Sequence, residues 1–517
     1  MTYSAVLRPL VGALALAGLA SITLPAQAAT QDEIEALKQT VRELQKRLEE
    51  LDQTVDQKVK IAERKQELVN EDVAKKLKDA PTVTASNKGF SIRSSDKDFE
   101  FKLRGLAHID YRSYDGDAHA QTTGNVPVAT DGFLARRLRP TFEGTLFGKY
   151  GFRFTPEFAE SGDGGGAASG DRRNNRVRVV DAYFDVNAAD QYKLRIGKHK
   201  PFVGLERLQS GSDIKFIERS YVSNNILPNR DIGVSLHGDV LDKKLNYAVG
   251  YFNGVADGGD NFTSLDDNTD KDFAARLFTT PFAGSGGILE GLGFGVAGTW
   301  ANDSNTNALP RYRTPGQNQF FAYASTVTAA GTRSRISPQA YYYNGPLGII
   351  AEYAQVTQDV QRAATAAAGA EGATTNAVAA IGPTELKNDA WQIAATWLIT
   401  GEDASFKGVK PFNPFKFGES GGGWGAWEVG LRYQENNLDS AAARFADNNA
   451  GTAGRAGYGL TARTWGVGLS WYHNENSKFL INYEDTSLDD VLRGAGTPTV
   501  LRGDKERFLS FRYQVAY

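Results

Sequence analysis

The chain has 517 residues, a formal net charge of −3 and no cysteine. The missing thiols exclude disulfide frameworks, zinc–thiolate sites and thiol catalysis, and the near-neutral balance gives no argument for nucleic acid. Past the first thirty residues no apolar run reaches the ~20 residues a membrane-spanning helix needs, while 55 glycines, 7 Trp, 21 Tyr and 28 Phe accompany a mean hydropathy of −0.40. Many aromatics and turn formers at low mean hydropathy suit a transmembrane barrel, apolar outside and polar within.

Residues 1–28 read as a secretory signal: Arg8 at the positive start, an apolar centre over 10–24, and Ala26-Gln27-Ala28 as the small-residue cleavage site. The mature chain is therefore expected to be exported, in an envelope of bacterial type. Residues 29–80 then change character. Ile34, Leu37, Val41, Leu44, Leu48, Leu51 and Val55 hold the three-four spacing of a heptad with charged flanks, which predicts a periplasmic coiled-coil helix. Past Val55 the seam weakens, because Lys58 and Lys65 fall at the next heptad positions. Mostly β-branched residues at one seam position with leucine at the other favour a dimer. Pro81 stops the helix, and residues 81–88 read as a polar linker.

From residue 89 to 517 the period becomes two. Phe101, Leu103, Ile109 and Tyr111 share one face, and Lys102, Arg104, His108, Asp110 and Arg112 the other. Trp427, Val429, Leu431 and Tyr433, then Trp465, Val467, Leu469 and Trp471, alternate in the same way, as does the last strand from Leu509 to Tyr517. Aromatics recur near strand ends, where membrane interfaces place them. Short connections at 241–244 and 473–478 read as periplasmic turns. Long Gly/Asp/Asn/Ala segments at 115–131, 161–175, 255–271, 360–384 and 439–457 read as external loops. At about fifty residues per hairpin unit the length accommodates around sixteen strands. The fold class is all-β: a transmembrane antiparallel β-barrel with an open aqueous lumen and an N-terminal α-helical coiled-coil segment.

One stretch departs from this rhythm. Residues 195–230 begin as a strand and then mix Lys198, Lys200, Arg207, Lys215, Arg219 and Arg230 with Gly, Ser and Asn. A strand that leaves its sheet into a long basic loop marks a site, here one folded into the lumen to select anions. Arginines recur elsewhere: Arg136, Arg137 and Arg139, the pair Arg311 and Arg313 around Tyr312, and Arg333 and Arg335 ahead of a strand. At period two Arg137 points with Arg139, and Arg311 with Arg313. Charge on a lipid face costs ~2–4 kcal/mol at the midplane, so these side chains face the lumen or sit in loops. There they hydrate the interior at the least, and guanidinium forks bind oxyanions. The five histidines, His108, His119, His199, His237 and His473, have no metal-site spacing, and no cofactor or phosphate-cradle motif is present. His199 near Ser210 is the one pairing a hydrolase would use.

The strings FLARRLRPTFEG (133–144), VVDAYFDV (179–186), RIGKHKPFVGLERLQSGSDIKFIERS (195–220) and GAWEVGLRY (425–433), with the terminal aromatic, resemble the phosphate-selective porin O and P family over residues 90–517. The resemblance implies a sixteen-stranded outer-membrane barrel of Gram-negative bacteria, a homotrimer with inward-folded loops, and passage of inorganic phosphate or other small anions. By motif it assigns Arg136, Arg137, Asp181, Arg207, Ser210, Arg219, Arg311 and Arg313 to the anion path. Arg207 stands where the best-known members carry lysine, and Gly211 replaces a second serine. Anion preference is expected to survive both changes, while strict choice among anions is not. The competing readings are a general or sugar-guiding porin, for which Tyr341–Tyr343 is the aromatic stretch, and a barrel-anchored tether contacting peptidoglycan through the coiled coil.

Overall fold

The computed structural model describes residues 31–116, 122–123, 126–127, 131–159, 177–260, 270–304, 309–364, 379–416, 418, 422–446, 459–489, 491–493, 499–501 and 504–517. The expected signal segment 1–28 and the middles of several long loops lie outside these residues. The chain divides into two units, residues 1–80 and 81–517.

The first unit contains α1, Gln31–Asp79, a helix of 49 residues with acidic Asp32 and Glu33 in its first turn and Lys76 and Lys78 in its last. Both placements complement the helix dipole. It ends one residue before Ala80-Pro81, as the sequence predicts.

The second unit is a closed barrel. Its strands are β1 Glu100–Gly116, β2 Gly132–Leu146, β3 Tyr150–Glu157, β4 Arg178–Ala189, β5 Tyr192–His199, β6 Asp231–Val240, β7 Leu245–Phe252 and β8 Asp272–Thr279. The other half comprises β9 Leu292–Ser304, β10 Val327–Asn344, β11 Leu347–Arg362, β12 Ile381–Leu398, β13 Ala426–Asn437, β14 Thr461–Tyr472, β15 Ser477–Asp489 and β16 Asp504–Ala516. Each pairs antiparallel with its sequence neighbour. β16 returns to β1 from Glu506↔Gly116 to Ala516↔Leu106. Closure pairs the first barrel strand with the last, as a lipid environment requires because nothing there can satisfy a free backbone group.

The alternation predicted from sequence sets the two faces. In β14 Trp465 and Val467 are exposed while Thr464 and Ser470 are buried. Outward aromatics lie six residues apart on three adjacent strands: Trp391 and Trp397, Trp427 and Tyr433, Trp465 and Trp471. Six residues of strand span ~20 Å, and Ile393, Val429, Leu431 and Val467 fill the band between, all exposed. Rings meet across strands at each level, Trp391 with Tyr433 at 5.3 Å and Trp427 stacked on Trp471 at 5.2 Å. These are the girdles of a membrane barrel.

Two expectations need correcting. The polar stretch read as a linker contains the strand Thr82–Ser86, paired with Gly89–Arg93, which pairs in turn with residues 100–103 of β1. This hairpin occupies the edge of β1 below the point where β16 stops, so the edge stays covered. Arg333 and Arg335 do not precede a strand; they lie within β10, which begins at Val327. Both face inward, and both bind Asp272 of β8.

Candidate anion path

A single irregularity concentrates charge on the β2 wall. The β1–β2 register passes from His108↔Arg137 to Ile109↔Ala135, leaving Arg136 as an extra residue on β2. Strict alternation would aim Arg136 at lipid. The bulge instead turns it inward beside Arg137, and the two are 4% and 1% exposed. Arg112 of β1 and Arg512 of β16 lie on the same wall, and Asp110 holds Arg512 in a fork of 2.6 and 2.7 Å.

The loop 200–230 crosses the lumen and docks on these groups. It contains one helical turn, Leu205–Leu208, and a π-helical turn, Val222–Ile226. Glu218 accepts from Arg136 Nε and Nη2 at 2.7 and 3.0 Å and from Arg112 Nη2 at 2.5 Å. Burial opposes its charge, but the Arg136 and Arg112 guanidiniums outweigh burial and hold the carboxyl far below the usual carboxylate range. Other strands of the barrel supply further fasteners. Glu352 of β11 accepts from the Leu205 and Glu206 amides at 2.5 and 3.1 Å. Gln434, Asn482 and Lys478 bind the backbone of Tyr221, Ile217 and Ile214.

Several residues expected to meet the anion are engaged inside the loop. Arg207 donates to the Ser223 carbonyl and to Asn229 at 3.0 Å, and Arg219 to the Gln209 carbonyl at 2.9 Å. Asp181 pairs with Arg230 at 2.9 Å. Arg311 and Arg313 lie on a small inward hairpin, Arg311–Arg313 with Gln319–Ala322, where Tyr312 is fully buried, Arg311 exposed and Arg313 half-buried. That hairpin belongs to an apolar plug. Tyr221, Val222, Ile226 and Leu227 of the crossing loop pack with Tyr312, Phe320, Phe321 and Phe445 against Ala354, Val356, Leu386 and Ala390 of β11 and β12. Part of the lumen is thus filled by packed side chains, which confines the open path to the remainder. Sequence reasoning missed the plug because small and branched residues at period two look alike on either face.

The open space lies on the short-turn side of the crossing loop, a cavity of about 730 Å³. Ten basic side chains line it against three acids, Asp181, Asp213 and Glu475, so its field favours anions. Ser210, Gly211 and Ser212 form its ledge. The Ser212 hydroxyl donates to Ser210 Oγ at 2.8 Å, placing a second hydroxyl one residue beyond the one Gly211 lacks. Arg139, Arg153 and Arg195 on the wall are paired with Glu157, Glu143 and Asp185. Lys200 has no carboxylate in ion-pair range among the described residues; its ammonium donates to the Gln209 carbonyl at 2.8 Å.

Lys407 and Lys410 reach the cavity from residues 399–425, a connection that sequence reading did not single out. It joins β12 to β13 at the end where turns are short, yet its described residues around 406–410 fold into the barrel mouth. Phe406 stacks near Tyr341 at 5.5 Å, and Gln209 donates to the Phe406 carbonyl at 2.7 Å. Strand parity was the available signal: after an even-numbered strand, 27 residues exceed what a turn needs.

The profile of the family described as Phosphate-selective porin O and P matches residues 101–516. The chain belongs to the phosphate-selective porin O and P family. Porin O of Pseudomonas aeruginosa is 24% identical over 444 residues, covering 81% of this porin and 90% of that protein. Among solved structures, the outer-membrane channel DcaP of Acinetobacter baumannii is 12% identical, covers 83% of this chain and 99% of its own, and superposes with a TM-score of 0.47. An anion-selective porin from Comamonas acidovorans, also 12% identical, covers 81% and 100% with a TM-score of 0.42. The porin is an outer-membrane anion channel and not an enzyme.

Proposed function

We propose that the porin passes phosphate-type oxyanions by passive diffusion, as a homotrimer whose N-terminal segment lies in the periplasm. The observation that carries this reading is the basic lining of the cavity beside Ser210 and Ser212, where ten cations outnumber the three lining acids and the wall carboxylates Glu143, Glu157 and Asp185 together. Rings of cationic side chains favour anions, and paired hydroxyls with guanidinium forks suit an oxyanion better than a halide. Within this reading Ser210 meets the ion in the cavity, and Arg137, Arg311 and Arg313, which lie outside its lining, act elsewhere along the path. Arg136, Asp181, Arg207 and Arg219 hold the loop that presents Ser210. A sugar slide finds less support, because Tyr341 is packed between Phe278 and Phe406 at 5.2 and 5.5 Å instead of lining open space.

Planar-bilayer recordings test this. Under a salt gradient the reversal potential is expected on the anion side, with phosphate blocking chloride current. Arg207→Ala is expected to weaken that block by loosening the loop at Ser223 and Asn229. Cation preference, or chloride current indifferent to phosphate, would overturn the reading.

A further inference from the structure

Helix α1 runs unbroken for 49 residues and buries none of them. Long helices owe most of their stability to packing of an apolar face, not to propensity, so this face needs a partner. Its apolar positions advance by threes and fours from Ile34 to Val55. An unbroken heptad would next bring Lys58, Lys65 and Asp72 into the seam. One extra four-residue step, from Val55 to Val59, restores the rhythm instead: Val59, Ala62, Gln66, Val69 and Val73. Such a step is a stutter, which locally unwinds a supercoil without ending it.

We infer that α1 packs against copies of itself, parallel and in register, along its whole length through a seam that shifts at Val55–Val59. This rests on the trimeric reading above, which overrides the seam's own leaning towards a dimer, and deepens it. The flanking charges identify the partner as another copy of this chain. In a parallel bundle the residue just before every second seam position, here Ile34, Leu48 and Val59 among them, faces one five residues on in its neighbour. Glu33 then faces Lys38, Arg47 faces Asp52 and, past the shift, Lys58 faces Glu63, all opposite in sign. The shift also moves Lys58 and Lys65 from the axis to the flank, relieving rings of like charge. Among the shifted positions from Val59 to Val73, Gln66 alone is polar. An uncharged amide layer hydrogen-bonds across the axis and fixes register at some cost in stability. Parallel direction follows because every copy enters the membrane in the same sense.

The chain has no native cysteine, so single cysteines report contacts without background. Full-length variants Lys58→Cys and Val59→Cys, Lys65→Cys and Gln66→Cys, and Asp72→Cys and Val73→Cys would be oxidised as purified native oligomers and run on non-reducing gels. Disulfide-linked dimers are expected several-fold faster at 59, 66 and 73 than at 58, 65 and 72. The opposite ranking would overturn the shift, and no cross-link at any of the six would overturn self-association. Unheated gels of the same samples separate the two readings. Barrels that stay together without helix cross-links refute only this inference, and barrels that fall apart refute the trimer as well.

Discussion

Glu218→Gln isolates the contact on which the lumen geometry turns. The wild-type carboxylate takes three guanidinium hydrogen bonds from Arg136 and Arg112, and Arg512 lies at 3.9 Å. Glutamine keeps the shape and one acceptor oxygen, but it turns an amide N–H₂ towards Arg136 or Arg112, where donor faces donor. It also leaves three cations on one wall without the loop's charge. Breaking a buried pair by removing one partner costs about 3–5 kcal/mol. Here part of that is recoverable, because a lumen anion can enter the vacated place. The expected result is a lower unfolding temperature on heat-modifiability gels, partly restored by phosphate through binding to the folded state. In bilayers, open-channel noise is expected to rise as the loop detaches. Unchanged unfolding temperature together with unchanged current would refute the assignment of Glu218 as the loop's anchor.

Burial, with Arg219 and Arg230 beside it, pulls the Lys200 ammonium well below the usual lysine range. A lowered value means the charge is present at low pH and lost as pH rises, earlier than the ~10.4 of an exposed lysine. The anion-to-cation permeability ratio is therefore expected to fall with rising pH. Lys200→Arg, charged throughout, is expected to reduce that slope, and an identical slope in the variant would exclude Lys200 as its source. At Gly211 an added Cβ would lie 3.2 Å from Leu106 Cδ2 and 3.5 Å from Arg137 Cδ, close enough to need only a small shift. Gly211→Ser is expected to fold as wild type and to strengthen phosphate block by roughly two- to tenfold, the worth of one hydrogen bond of about 0.5–1.5 kcal/mol. Block at unchanged phosphate concentration would count against the serine ledge as the ion's contact.

The sequence by itself determined the barrel, because lipid outside and water inside impose a period of two that a reader can follow from Phe101 to Val515. The helix end at Pro81 was equally legible, since proline cannot continue a helix. Its shifted seam past Val55 is likewise written in the spacing of Val59, Ala62, Gln66, Val69 and Val73. The tertiary structure alone decided which arginines are committed to protein. Arg136 faces inward only through a bulge whose extra residue shows in the pairing of β1 with β2. Arg207 and Arg219 look like free cations in a basic loop until the loop's own carbonyls and Asn229 are folded onto them. The plug and the intruding residues 406–410 were hidden for the same reason. Period two reports which face a residue occupies, and it says nothing about what fills the space that face encloses.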